Sequence, residues 1–122
     1  MAFRGIRGAI TVSRDGREEI LAETRHLLMA IQEANPGLRS TDIGSVFFSV
    51  TADITSAFPA EAARNFGWDQ VPLMCFQEIP VSGSLPLCIR VLIHWNTDLG
   101  QADIHHVYLG MAKTLRPDLA MN

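Results

Sequence analysis

Arg90 stands in the middle of the most apolar run of the chain, Leu87-Cys88-Ile89-Arg90-Val91-Leu92-Ile93-His94-Trp95. A guanidinium stays charged at any ordinary pH, so an arginine in a core strand needs an anionic partner or a wet cavity. Arg7 repeats the arrangement within Gly5-Ile6-Arg7-Gly8-Ala9-Ile10-Thr11-Val12, where glycines allow a ligand or another backbone to come close. Two strand arginines of this kind suit recognition of an anionic group. The same placement also fits internal ion pairs, and spacing alone does not choose between them.

The remaining reactive side chains form no familiar catalytic pattern. Cys75-Phe76-Gln77-Glu78 closes a strand and enters the loop Ile79-Pro80-Val81-Ser82-Gly83-Ser84, where functional groups often gather. Alone, Glu78 reads as a solvated carboxylate and Cys75 as a small buried hydrophobe. His94, His105 and His106 lack the spacing of a zinc or iron site, so no metal is expected. Gly5-Ile6-Arg7-Gly8 has neither the length nor the following helix of a phosphate loop. No Ser-His-Asp or Cys-His nucleophile arrangement emerges, and no cofactor is expected.

These groups need elements to hold them. In the Arg90 strand, parity sets Cys88, Arg90, Leu92 and His94 on one face and Ile89, Val91, Ile93 and Trp95 on the other. The second set is core, and the first carries the cation. In the opening strand Ile6, Ile10 and Val12 share a parity opposite to Arg7. Asp15-Gly16-Arg17-Glu18 has the form of a capping box, with Asp15 as N-cap. Ile20, Leu21, Thr24, Leu27, Leu28 and Ile31 then recur at helical spacing until Asn35-Pro36-Gly37. Further strands are predicted over Ile43 to Thr51, Val71 to Phe76, from Leu87, and over His106 to Leu109. Pro59 suits the first turn of a short helix, Ala60 to Phe66, with Gly67 just beyond it. The fold class is α+β: a mixed sheet with one long and one short helix.

Both parities of Val46-Phe47-Phe48 are apolar, so the sheet needs cover on two faces. One long helix covers one of them, and in so short a chain a second copy is the expected cover for the other. The 122 residues make one domain, 1–122, with a real core, and 48% hydrophobic against 19% charged residues fits a globular protein. A net charge of −3 without a basic stripe argues against nucleic acid. No apolar window reaches a membrane span, the N-terminus is charged where a signal peptide is apolar, and two cysteines make no disulfide framework. A cytoplasmic protein without membrane or nucleic-acid partners is expected.

Taken together, Arg4-Gly5-Ile6-Arg7-Gly8-Ala9, Ala57-Phe58-Pro59-Ala60 with Arg64, Val71-Pro72 leading to Cys75 and Glu78, Ile89-Arg90-Val91, His106-Val107-Tyr108-Leu109 and Leu115-Arg116-Pro117-Asp118-Leu119 resemble the monofunctional, trimeric class of chorismate mutase. The likeness runs from Arg4 to Leu119 in the family's order and spacing. It implies a homotrimer with a barrel-like core, active sites between adjacent subunits, and rearrangement of chorismate to prephenate in aromatic amino-acid biosynthesis. It further implies that Arg90 contacts the ether oxygen and a carboxylate of the substrate. Arg7 and Tyr108 would hold carboxylates, and Glu78 with Cys75 would face the ring and its hydroxyl. Phe58, Arg64, Met74, Leu115 and Arg116 would line or close the pocket. His105 stands where members often have arginine, and Glu61 where some have lysine. Both departures bear on the charge of the entrance and touch no residue assigned to chemistry.

The chemistry of the residues agrees with that implication. Chorismate carries two carboxylates, and its unimolecular rearrangement needs neither nucleophile nor cofactor. It needs a folded conformer and stabilisation of the charge growing on the ether oxygen. Two alternatives from other classes are a small trimeric enamine/imine deaminase-like enzyme, which also holds a carboxylate with a strand arginine, and a non-catalytic carboxylate-binding module.

Overall fold

The β-branched and aromatic runs of the chain pair into one mixed sheet. The computed structural model describes residues 2–115. In chain order the elements are β1 (Phe3–Thr11), α1 (Arg17–Ala34), β2 (Ile43–Val50), α2 (Pro59–Asn65), β3 (Leu73–Gln77), β4 (Cys88–Asn96) and β5 (Val107–Tyr108). The sheet order is β3-β2-β4-β1-β5. β4 runs antiparallel to both β1 and β2, whereas β3 joins β2 and β5 joins β1 in parallel. The α+β expectation, with one long and one short helix, is met.

Helical periodicity in α1 buries Ile20, Thr24, Leu27, Leu28 and Ile31 against one sheet face. That face presents Ile6 and Ile10, Val46 and Phe48, and Ile89, Val91, Ile93 and Trp95, all buried. Each such aliphatic side chain contributes roughly 1.5–3 kcal/mol through loss of its water contact. The strand parities read from the sequence therefore hold, and Arg90 lies on the face that the helices leave uncovered. Leu21 sits only half-buried, toward α2 rather than the sheet.

The start of α1 departs from the expected capping box. Gly16, not Asp15, is the N-cap, and no side chain caps the helix. The Asp15 carboxylate is engaged elsewhere: it accepts from the Thr55 amide at 2.9 Å, the Thr55 hydroxyl at 2.7 Å and the Ser56 amide at 3.0 Å. These hydrogen bonds, the Thr55 amide first, hold its carboxyl below the ordinary carboxylate value. Their contribution is present above the ordinary carboxylate range and is lost as pH falls through the lowered value. Asp15 thus ties the entry of α1 to the loop that precedes α2.

At the other end of α1, Asn35 is buried and fully occupied. Its amide donates to the carbonyls of Ile31 and His105, each at 2.9 Å, and its oxygen accepts from the His105 amide at 3.0 Å. Asn35 so fixes the approach to β5 beside β1. Replacing it with alanine would remove the partners of the His105 amide and carbonyl, at about 1–3 kcal/mol, while the Ile31 carbonyl keeps the main-chain amide of residue 35. Asn35→Ala should lower stability by that amount in urea denaturation with the m-value unchanged.

Two segments differ from the sequence expectation in where their strand begins. β3 begins at Leu73 rather than Val71, because the Val71 amide closes a turn on the Trp68 carbonyl and Pro72 has no N–H to give. Leu87 precedes β4 rather than opening it: its φ of 51° is left-handed, a conformation costing a branched side chain about 1–2 kcal/mol.

Candidate active site

The register of the sheet brings the sequence-predicted groups into one row. Phe76, Ser49, Arg90, Ala9 and Tyr108 are successive cross-strand partners from β3 to β5. In the next row Leu92 of β4 lies between Arg7 and Phe47. Arg7, Arg90 and Glu78 thereby line a shallow cleft of about 280 Å³ on the helix-free face, with Phe47, Ser49 and Leu92 as its floor. Sequence reasoning missed those three floor residues. Parity was the available signal: Phe47 and Ser49 alternate with Val46 and Phe48, and Leu92 shares the Arg90 face.

Arg90 and Glu78 are paired but not saturated. Arg90 Nε lies 3.2 Å from Glu78 Oε1, and both side chains stay about one-third exposed or less. The separation is that of an ion pair, yet Arg90 Nε is buried with no aligned hydrogen-bond acceptor among the described residues. The Tyr108 hydroxyl shares that condition. Tyr108 is 1% exposed, packed with Ala9, Cys88 and Ala112 under the 3-10 turn Gly110–Thr114, with Leu115 against the same cluster. A buried donor without an acceptor is costly, so each one calls for an explanation. Arg7 adds a positive charge: its amide donates to His106 Nδ1 at 2.9 Å, while its guanidinium forms no ion pair among the described residues.

The other predicted pocket residues occupy the opposite side of β3. Cys75 points toward α2, and with Val50, Gln77 and Phe58 it lines a second cleft of about 440 Å³. Its rim is bridged by an Arg17–Glu61 ion pair. Phe58, the N-cap of α2, is 71% exposed at the mouth. Arg64 is exposed on α2 and close enough to act on the Cys75 thiol. Burial pushes that thiol up from its ordinary value, and the Ala60 backbone and Arg64 pull back only in part. The shift favours the neutral thiol, the less nucleophilic form. Cys88 is likewise raised, by burial above all, with Arg90 opposing.

Within one chain the predicted site is thus split. Arg7, Glu78, Arg90 and Tyr108 belong to the helix-free face, whereas Cys75, Phe58 and Arg64 belong to the α2 side. Met74 stands on the helix-free side of the edge strand, 55% exposed. Cys75 and Glu78, expected to work together, face different clefts, as three positions along an extended chain require. Arg116 lies outside the described residues. Among the described residues no group of three or more His, Cys, Asp or Glu side chains could hold a metal ion.

Known proteins share this chain's sequence and fold. Residues 3–119 match the family described as chorismate mutase type I. The chain is 56% identical over 117 residues to chorismate mutase AroH of Thermus thermophilus, covering 95% of each chain. It is 47% identical over 122 residues to chorismate mutase AroH of Bacillus subtilis, covering 99% of this chain and 95% of that one. The solved structure of a chorismate mutase from Clostridium thermocellum superposes with a TM-score of 0.87 at 55% identity, over 90% of this chain and 97% of that one.

Proposed function

The chain belongs to the type I chorismate mutase family, and on that premise we propose that Arg90, Arg7, Glu78 and Tyr108 form the chemical half of its site. The reaction is the [3,3]-sigmatropic rearrangement of chorismate to prephenate, a step of aromatic amino-acid biosynthesis. One observation carries the assignment of residues: two buried donors in one cross-strand row, Arg90 Nε beside a cationic cleft and Tyr108 OH, have no aligned hydrogen-bond acceptor among the described residues, although Arg90 pairs in charge with Glu78. A dicarboxylate ether supplies the acceptors they lack.

The residues divide the work by charge. Arg7 and Tyr108 hold carboxylate groups, fixing the folded conformer in which the two reacting carbon ends meet. Arg90 reaches the ether oxygen and a carboxylate together, so it meets the negative charge that grows as the carbon–oxygen bond breaks. Glu78 orients Arg90 across the 3.2 Å pair and accepts from the ring hydroxyl. Cys75, Phe58, Arg64, Met74, Leu115 and Arg116 enclose the ring and close the mouth. No metal or cofactor takes part.

The full site forms between two copies of a homotrimer, each chain being one domain over 1–122. Two features support this. The two halves of the site open on opposite sides of β3, so a neighbouring copy can supply to each cleft what its own chain turns away. The helix-free face also exposes Phe3 at 63%, Met74 at 55% and Phe76 at 46%, apolar surface that a second copy would cover. The enzyme works in the cytoplasm, where its two unpaired cysteines stay reduced. Among the described residues no helix is long and apolar enough to cross a membrane.

Incubation with chorismate, followed by its ultraviolet absorbance, tests the reading: the substrate band should decay and prephenate accumulate. Binding without turnover would instead mark a carboxylate-binding module, and turnover of an enamine or imine alone a deaminase. A further result is expected for pH. Positioning and fixed guanidinium charge require no proton transfer in the rearrangement, so kcat should stay nearly flat from about pH 6 to 8. A bell-shaped kcat profile would assign proton transfer to a titrating group and overturn the mechanism.

A further inference from the structure

Asp53 lies outside both clefts' chemistry, yet its carboxylate holds a backbone position in the left-handed region, that of Leu87. Leu87 is the one non-glycine at positive φ among the described residues. Both Asp53 oxygens accept from the Leu87 amide, at 3.2 and 3.0 Å, and Oδ1 also accepts from the Thr51 hydroxyl at 2.5 Å. The Thr51 hydroxyl in turn accepts from the Cys88 amide at 3.0 Å. The Thr51 amide donates to the Cys88 carbonyl at 3.1 Å, and the Leu87 carbonyl accepts from Val12 at 2.9 Å. A leucine held left-handed by a carboxylate marks a place where the surrounding structure overrides local preference.

What that strain secures is the distance between two site residues. The loop 79–86 leaves the sheet at Glu78, whose amide donates to the Val50 carbonyl at 2.8 Å. It returns at Leu87, three positions before Arg90. Val50, Thr51 and Asp53 therefore grip both ends of the loop, around a cleft of about 230 Å³ bounded by Asp53, Glu78, Val81 and Leu85. We propose that Asp53 is a positioning residue for the rearrangement: by clamping the Leu87 backbone it sets the start of β4 and the spacing of Glu78 and Arg90. The proposal rests on the roles given to those two residues above. Asp53 touches no substrate, and its effect passes through backbone geometry, where a displacement of about 1 Å can cost about 10²-fold in rate.

The test is a pair of substitutions measured on purified, assembled enzyme. Asp53→Ala should lower kcat about 10- to 100-fold with little change in KM, because substrate still binds while the transition-state contacts are misplaced. Asp53→Asn keeps one acceptor oxygen for the Leu87 amide and should show the same fall in smaller measure. Leu87→Gly, added to either, should return part of the lost kcat, since glycine adopts positive φ without strain. A purely structural aspartate would lower the melting temperature and leave kcat per folded trimer unchanged. Wild-type kcat in folded Asp53→Ala, or in Asp53→Asn where the alanine variant does not fold, overturns the clamp. So does a double variant no better than its parent. Wild-type turnover of chorismate in the same assay separates these outcomes from a failure of the functional reading.

Discussion

Arg90→Met should lower kcat/KM by about 10³-fold or more, with most of the loss in kcat. Loss of a neutral oxyanion donor costs about 10²–10³ in rate, and Arg90 presents a charged donor, whose loss should cost at least as much. Methionine keeps the length and apolar stem but removes the charge and every N–H. The fold should survive, because the side chain points to the helix-free face and Ile89 and Val91 carry the core packing on either side. Glu78 then loses its partner, but it remains partly solvated, which limits the cost of an unpaired carboxylate.

Arg90→Lys separates charge from geometry. An ammonium is a point charge on a flexible stem, so it cannot reach an ether oxygen and a carboxylate with one fork. It should recover only part of the loss. Steady-state kinetics on chorismate, with light scattering to show that both variants assemble, checks the pair. Folded Arg90→Met with kcat within about tenfold of wild type would make Arg90 a structural partner of Glu78 and nothing more.

How much of this was legible in the sequence varies with the range of the interaction that decides it. β4 was legible because alternation is local: Ile89, Val91, Ile93 and Trp95 are buried, and Arg90, Leu92 and His94 are not. α1 was legible from its period, but its cap was not. Asp15 has the right type in the right place, and its carboxylate is taken by Thr55 and Ser56, forty residues on. Leu87 reads as the first residue of an apolar strand, and its left-handed backbone, held at the amide by Asp53 and at the carbonyl by Val12, depends on partners remote in sequence. For the site, Arg7 and Arg90 stood out as charges inside strands. That Cys75 and Glu78 face apart follows from parity alone. Which clefts they face depended on β3 pairing at the sheet edge beside α2, a contact that no spacing encodes.

If the chain assembles as the homotrimer proposed above, mixed trimers provide the sharpest test of the split site. The α2-side half can be disabled without touching Arg90: Phe58→Asp with Arg64→Glu places two negative charges beside the path of a dianionic substrate. Phe58 is the N-cap of α2 and well exposed, and aspartate is favoured at such a position, so the fold should be kept. That double variant and Arg90→Met should each be nearly inactive as homotrimers. Co-expressed with different affinity tags and purified through both, they form mixed trimers only. In a closed ring of three with head-to-tail contacts, every mixed trimer has one junction of each mixed orientation. One of those junctions joins an intact Arg90 face to an intact α2 face. About one third of wild-type activity should therefore return, from two parents each roughly a hundredfold or more below it. If each site lay within one chain, no mixed trimer would contain an intact one, and activity would stay at the parents' level. Recovery near one third thus requires that Arg90 act on substrate held against the Phe58 and Cys75 side of a neighbouring chain.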